Sequence, residues 1–263
     1  MTAQPKPFPM HDREFVALMA ATMALNALAV DAMLPAFPAM RETYGLTNPN
    51  SMQFVISFYL FANAVGSLVA GPLADRFGRR PMLMLSVFFA AVGGLASGAA
   101  PTFEILLTMR AVHGFFAAGL GVVAISVIRD RYAGDRMARV MSLIIIVFMI
   151  VPVLAPSIGQ LVLAVASWRK IFHVLALAAA LVLIWVWKRL PETLEPEFRQ
   201  PIALGTIAKN YASCTTDRQG LGYMLAAGIM MGGMFGFLNS SQQIYYDVFD
   251  AEAVFPFAFA GLA

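Results

Sequence analysis

The chain has 263 residues, of which 60% are hydrophobic and only 13% charged, with a formal net charge of +3 and a mean hydropathy of +0.73. Soluble domains carry about 25% charged residues, so an ordinary water-soluble fold is excluded. One cysteine, Cys214, allows no intrachain disulfide. The histidines His11, His113 and His173 lie far apart and match no metal spacing, and there is no GxxxxGK[ST] phosphate loop.

Apolar residues come in blocks of about 20, the length that crosses ~30 Å of hydrocarbon as helix. In chain order the spans are expected near 15–38, 52–73, 82–100, 103–128, 139–165, 168–188 and 221–245. An eighth begins near 253 and stops at Ala263, too short to cross a bilayer, so the chain reads as incomplete at its C-terminus. The first span is too long for a signal-peptide core and is read as a retained helix. Segment 191–220 is the longest polar stretch, with Pro191, Pro196, Pro201 and charges of both signs. It reads as a cytoplasmic linker between a bundle over 1–190 and the start of a second bundle over 221–263, and Ile202–Tyr211 as a short surface helix within it. With the N-terminus in the cytoplasm, fourteen of the eighteen basic residues fall inside and only Arg41, Arg169 and Lys170 outside. That is the positive-inside bias of a bacterial inner-membrane protein. The net charge therefore reports topology and suggests no nucleic-acid surface.

The eighteenth basic residue, Arg110, sits inside the fourth span, where an arginine costs about 2.5–3.5 kcal/mol by the lower estimates. Asp31 is the only acid well inside the first span; Glu104 lies close to the outer surface. Asp31 and Arg110 are each about seven residues from the outer end of their spans, so each lies roughly 10 Å deep. Equal depth permits a pair if the two spans are neighbours. In one reading the pair is a permanent clasp between helices. In the other, Asp31 gains and loses a proton while Arg110 tunes it, since desolvation and a neighbouring cation act on that proton in opposite senses. His113, three residues after Arg110, shares nearly the same helix face. It is either a proton carrier or a neutral hydrogen-bond partner. Tyr59, Asn63 and Ser67 form an i, i+4, i+8 polar stripe that could line a cavity or bind neighbouring helices. Asn239, Gln242 and Tyr246 are similarly ambiguous, and Met109 and Met149 could give a soft pocket. Gly94–Gly98 and Gly228–Gly232 have the spacing of close helix packing.

The loop "GPLADRFGRRP", 71–81, joins spans two and three. Arg76, Arg79 and Arg80 suffice for topology, but Gly71 and Gly78 flank an acid–base arrangement that topology does not need. The glycines suit a close helix approach and a tight turn, and Asp75 suits a helix N-terminus. This stretch resembles the signature loop of the major facilitator superfamily. Further stretches agree: "DAMLPAFP" (31–38) and "RAVHGFFAAG" (110–119) resemble the drug–proton antiporter branch, while "VIRDRYAGDRMARVMS" (127–142) and "WRKIF" (168–172) are similar to its bicyclomycin-resistance (Bcr/CflA) group, with "LPETL" (190–194) opening the linker. In "VLAPSIGQ" (153–160), Pro156 and Gly159 remain of a Gly-Pro-x-x-Gly-Gly antiporter signature, and Ala155 and Gln160 replace two glycines. His113 stands where the family usually has glutamine, and Lys170 where it commonly has an aromatic residue.

The resemblance implies an all-α polytopic membrane protein with a major-facilitator-type six-helix N-terminal bundle, itself two inverted three-helix repeats, plus the start of a second bundle. It implies about four further spans beyond the eighth. It also implies that spans one and four line the central cavity, and that the loop acts as a conformational latch in which Arg79 meets Asp130. The expected function is secondary transport by alternating access: proton-coupled export of small amphipathic compounds. No enzymatic activity and no cofactor are expected, and the partners are a small-molecule substrate, protons and the lipid bilayer, the protein being a monomer. Two alternatives stand beside it: a nutrient symporter or facilitator on the same fold, and a non-transporting membrane protein or inactive fragment.

Overall fold

The computed structural model describes residues 9–245 and Phe249. The chain divides into two compact units, one running to Arg199 and the other starting at Gln200. The described residues are helical, without strands.

In the first unit α1 is Asp12–Asp31, followed by a single 3-10 turn, Leu34–Ala36, and the short α2, Phe37–Thr43. The first span is thus two helices rather than the single one expected over 15–38. The reason lies in the sequence: the carbonyl of Asp31 would be served by residue 35, which is a proline without an N–H, and Pro38 follows. The remaining helices are α3 Gln53–Phe77, α4 Arg79–Ala99, α5 Phe103–Arg131, α6 Gly134–Val165 and α7 Arg169–Arg189. The spans containing α1–α2, α3, α4, α5 and α7 are each long and apolar enough to cross a membrane. Helix α6 has 32 residues, with some of its side chains outside the described residues.

Helix α5 is central. It packs against α3, α4 and α1, while α4 packs on α7 and α1 on α6. Glycines set the close approaches. A Cβ at Gly114 of α5 would lie 2.9 Å from the Tyr59 Cα of α3, and one at Gly93 of α4 would lie 2.9 Å from the His113 Cα. Of the expected GxxxG pair, Gly98 packs on Phe172 and Gly94 faces His113 more loosely. At the end of the bundle opposite Gly78, Trp168 donates to Thr43 Oγ1 (3.0 Å), while Tyr44 and Arg169 both donate to the Ala100 carbonyl (3.0 and 3.2 Å). This joins α2, α4 and α7.

The second unit contains α8, Leu204–Thr216, and α9, Arg218–Gln243, packed on each other. Helix α8 is the expected surface helix, shifted by a few residues. A Cβ at Gly228 or Gly232 would meet nothing within 4 Å, so their spacing serves no packing among the described residues.

Candidate functional site

Arg110 is fully buried, the largest side chain to be so. Its guanidinium is satisfied mainly by backbone. Nη2 donates to the Ala29 carbonyl (3.0 Å) and Nε to the Val55 carbonyl (3.2 Å). The carbonyl of Ala29 is available because α1 stops two residues later, leaving its last carbonyls without intrahelical donors. Arg110 therefore caps the negative end of the α1 dipole, where a cation is favoured. Its Cζ also lies 4.3 Å from the centre of the Tyr59 ring, close enough for a cation–π contact.

His113 completes the cluster. Its Nδ1 lies 3.3 Å from Arg110 Nη1, and its ring meets Tyr59 edge-on with centroids 5.1 Å apart. A guanidinium can only donate, so Nδ1 accepts and the ring proton resides on Nε2. Tyr59, fully buried, donates its hydroxyl to Asn26 Oδ1. Asn63, half-buried, donates to Asn26 Oδ1 (3.4 Å) and to the Gly114 carbonyl (3.2 Å), and Ser67 returns to the Asn63 carbonyl (2.8 Å). Tyr59 and Asn63 of the polar stripe thus bond to neighbouring helices, while Ser67 bonds within α3. Asn26 and the Ala29 and Val55 carbonyls escaped sequence reasoning. Asn26 lies in an apolar stretch, and a backbone acceptor carries no residue-type signal.

The expected Asp31–Arg110 ion pair is not formed: no ion pair joins the two residues. Matched depth brings the Arg110 guanidinium to the end of α1, but there it takes the Ala29 backbone carbonyl and not the Asp31 carboxylate. Asp31 is 3% exposed, and its Oδ1 is buried without a hydrogen-bond partner. It also occupies the C-terminal end of α1, where a negative charge is disfavoured. Nearby, Gly159 of α6 packs on the Ala32 carbonyl and Pro35, next to the buried Pro156. Met109 is half-buried on α5. The side chains of Met149, Asn239 and Gln242, and Tyr246 as a whole, lie outside the described residues.

The second cluster is at the α3–α4 turn. Gly78 has φ +106°, a conformation that favours glycine. Arg79 bridges Asp75 and Asp130, the latter at 3.2 Å. The expectation that Asp75 meets a helix N-terminus needs correction. Asp75 pairs with the Arg79 side chain, and the carboxylate accepting the first α4 amide, Arg79 N at 2.8 Å, is that of Glu192. Glu192 also accepts from the amides of Thr193 and Leu194, and Thr193 Oγ1 donates to Asp130 (2.8 Å). The "LPETL" stretch is therefore part of this cluster, a role its polar, proline-containing composition concealed. Gly71 also departs from expectation, since a Cβ there would meet only Val122 at 3.8 Å, an ordinary contact. Arg76 is exposed, and Arg80 donates to the Trp187 carbonyl.

The third cluster is centred on Asp12. It accepts from Arg131, Tyr132 and Arg136, each at 2.7 Å, tying the start of α1 to the α5–α6 turn. Burial pushes the Tyr132 phenol up to about 12, with its hydrogen bond to Asp12 the next cause. Beside it, Arg189 makes a two-pronged bond to Glu14 (both 2.7 Å).

Residues 19–263 match the model of the Major Facilitator Superfamily, and the chain belongs to that family. Its members carry small molecules across membranes, and the protein is accordingly a membrane protein. The chain is 31% identical over 235 residues to a bicyclomycin resistance protein homolog of Haemophilus influenzae, covering 89% of this chain and 59% of the relative. It is 32% identical over 170 residues to a chloramphenicol resistance protein of Pseudomonas aeruginosa, covering 64% and 40%. Relatives named for antibiotic resistance fit the Bcr/CflA group that the motifs resemble. Among solved structures, a D-xylose–proton symporter superposes with a TM-score of 0.66 at 14% identity, over 94% of this chain and 65% of the other. The chain spans less than three-fifths of the length of the curated relatives it matches.

Proposed function

We propose that this chain supplies the N-terminal bundle of a secondary transporter that exports small amphipathic compounds, of the bicyclomycin or chloramphenicol kind, in exchange for protons. Asp31 carries this reading: a nearly buried carboxylate whose Oδ1 has no partner. An uncompensated buried charge is costly, so this group has reason to exchange a proton, and ionisable groups within spans are functional by default. Proton and cationic substrate then compete for one carboxylate. The Arg110 cluster is a rigid support beside it, and the half-buried Asn63 and Met109 belong to the cavity wall. Asp75, Arg79, Asp130 and Glu192 form a latch that holds one end of the bundle closed in one of the two access states. The protein sits in the bacterial inner membrane as a monomer with its N-terminus in the cytoplasm. Residues 1–190 form two inverted three-helix repeats, and 191–220 link them to the second bundle.

The test is transport by the complete transporter in inside-acid vesicles. Drug entry coupled to proton exit is expected, and Asp31→Asn should abolish the coupling while leaving the protein inserted. Accumulation by Asp31→Asn equal to the parent, with proton exchange intact, would place the carrier elsewhere.

A further inference from the structure

Next to the cluster at the α3–α4 turn, a groove of about 760 Å³ runs between α4 and α7 at the Gly78 end of the bundle. Met84 and Phe88 of α4 and Leu183 and Trp187 of α7 form its walls, and the one charged lining residue is Arg80, at one end. From Arg80 to Phe88 is eight residues, about 12 Å along the helix, close to the ~15 Å half-thickness of a bilayer's hydrocarbon. The Arg80 guanidinium spends Nη2 on the Trp187 carbonyl, while its Nε is buried without a partner. Arg80 has no ion pair among the described residues. The acids around it are committed elsewhere, Asp75 to the Arg79 side chain and Glu192 to backbone amides.

We propose that this groove binds a glycerophospholipid with a net negative headgroup, its acyl chain along α4 and α7 and its phosphate on Arg80. The apolar groove alone would accept any lipid tail. The unpaired arginine selects, because guanidinium–phosphate bonding is directional and charge-assisted. Exposed Lys188 lies in the last turn of α7 and exposed Arg76 in the last turn of α3, just before the α3–α4 turn, and both would favour a net anion over a zwitterion carrying its own ammonium. Trp187, 56% exposed, is the residue type that marks the lipid–water boundary. This inference is independent of what the protein transports.

The experiment is native mass spectrometry of the 263-residue chain released from nanodiscs containing equal phosphatidylglycerol and phosphatidylcholine. The parent should retain phosphatidylglycerol preferentially. Arg80→Gln should weaken that retention by about fivefold, the effect of one basic residue near a membrane surface. Arg80→Lys should weaken it less, and Leu183→Trp, which fills the groove, should reduce both lipids. Equal retention of the two lipids by the parent, unchanged retention in Arg80→Gln, or a dimer in place of lipid adducts would each overturn the proposal. Should a variant unfold, photoactivatable phosphatidylglycerol on the parent decides. Labelling within 81–88 and 183–187 is expected, and labelling confined to other segments refutes the site.

Discussion

A single arginine explains much of the local order around α1, α3 and α5. Arg110 joins the interrupted end of α1 to the first turn of α3, and it does so through carbonyls. Arg110→Ala would leave the Ala29 carbonyl buried without a donor, at a cost of about 1–3 kcal/mol. A clear drop in unfolding temperature in detergent is expected. Arg110→Lys keeps the charge but loses the planar fork, so it should fall between the two and support partial transport at best. Tyr132 provides a pH test outside the spans. Its folded-state pKa, about 12, exceeds the unfolded value of about 10. The stabilisation is thus complete below pH ~10 and is lost as pH rises towards 12. Alkaline unfolding curves should show this loss, and Tyr132→Phe should remove it.

At the scale of elements, the glycines on α5 separate into two kinds. Gly114 lies against the α3 backbone, which cannot move aside as a flexible side chain would, whereas a Cβ at Gly121 would meet nothing within 4 Å. Gly114→Ala should force α3 and α5 apart and cost about 1–3 kcal/mol, as overpacking does. Gly121→Ala should be neutral or stabilising by up to about 1 kcal/mol through helix propensity. Thermal unfolding of the two variants side by side checks this, and equal destabilisation would contradict the packing described. Gly78→Ala combines a strained φ of +106° with a Glu192 Cδ only 2.9 Å from the added Cβ, so it should loosen the α3–α4 turn and the 190–194 segment together.

For the whole molecule, the cluster of Asp75, Arg79, Asp130 and Glu192 connects α3, α4, α5 and the segment after α7. Asp75, Arg79 and Asp130 are at helix ends and Glu192 is in the segment after α7, so they can separate without opening the apolar core between helices. In vesicle transport, Asp75→Asn and Glu192→Gln should each slow turnover while insertion and topology are retained, because the arginines that orient the loop remain. Unchanged transport by both variants would reduce the cluster to a structural tie. In that event Arg79 would still hold the turn, and its loss should appear in thermal stability alone.

The placement of the apolar spans in the first unit was legible from composition, apart from the break that divides the first span, because a hydrocarbon phase demands apolar blocks of a set length. Of the "GPLADRFGRRP" stretch, the turn glycine at 78 and the Arg79–Asp130 contact were legible, while the surroundings of Gly71 and Asp75 were not. Nor were the other partners. Matched depth suggested that Asp31 meets Arg110, but depth fixes position along a helix and leaves its rotation open. Tertiary packing gave Arg110 two backbone carbonyls and left Asp31 Oδ1 without a partner. The same holds for Glu192, assigned by composition to a linker and brought by the fold to the N-terminus of α4. Sequence determined which segments are long and apolar enough to cross a membrane, because solvation acts on residue type. Tertiary structure alone decided which polar groups meet, because that depends on helix rotation and on backbone acceptors that every residue possesses.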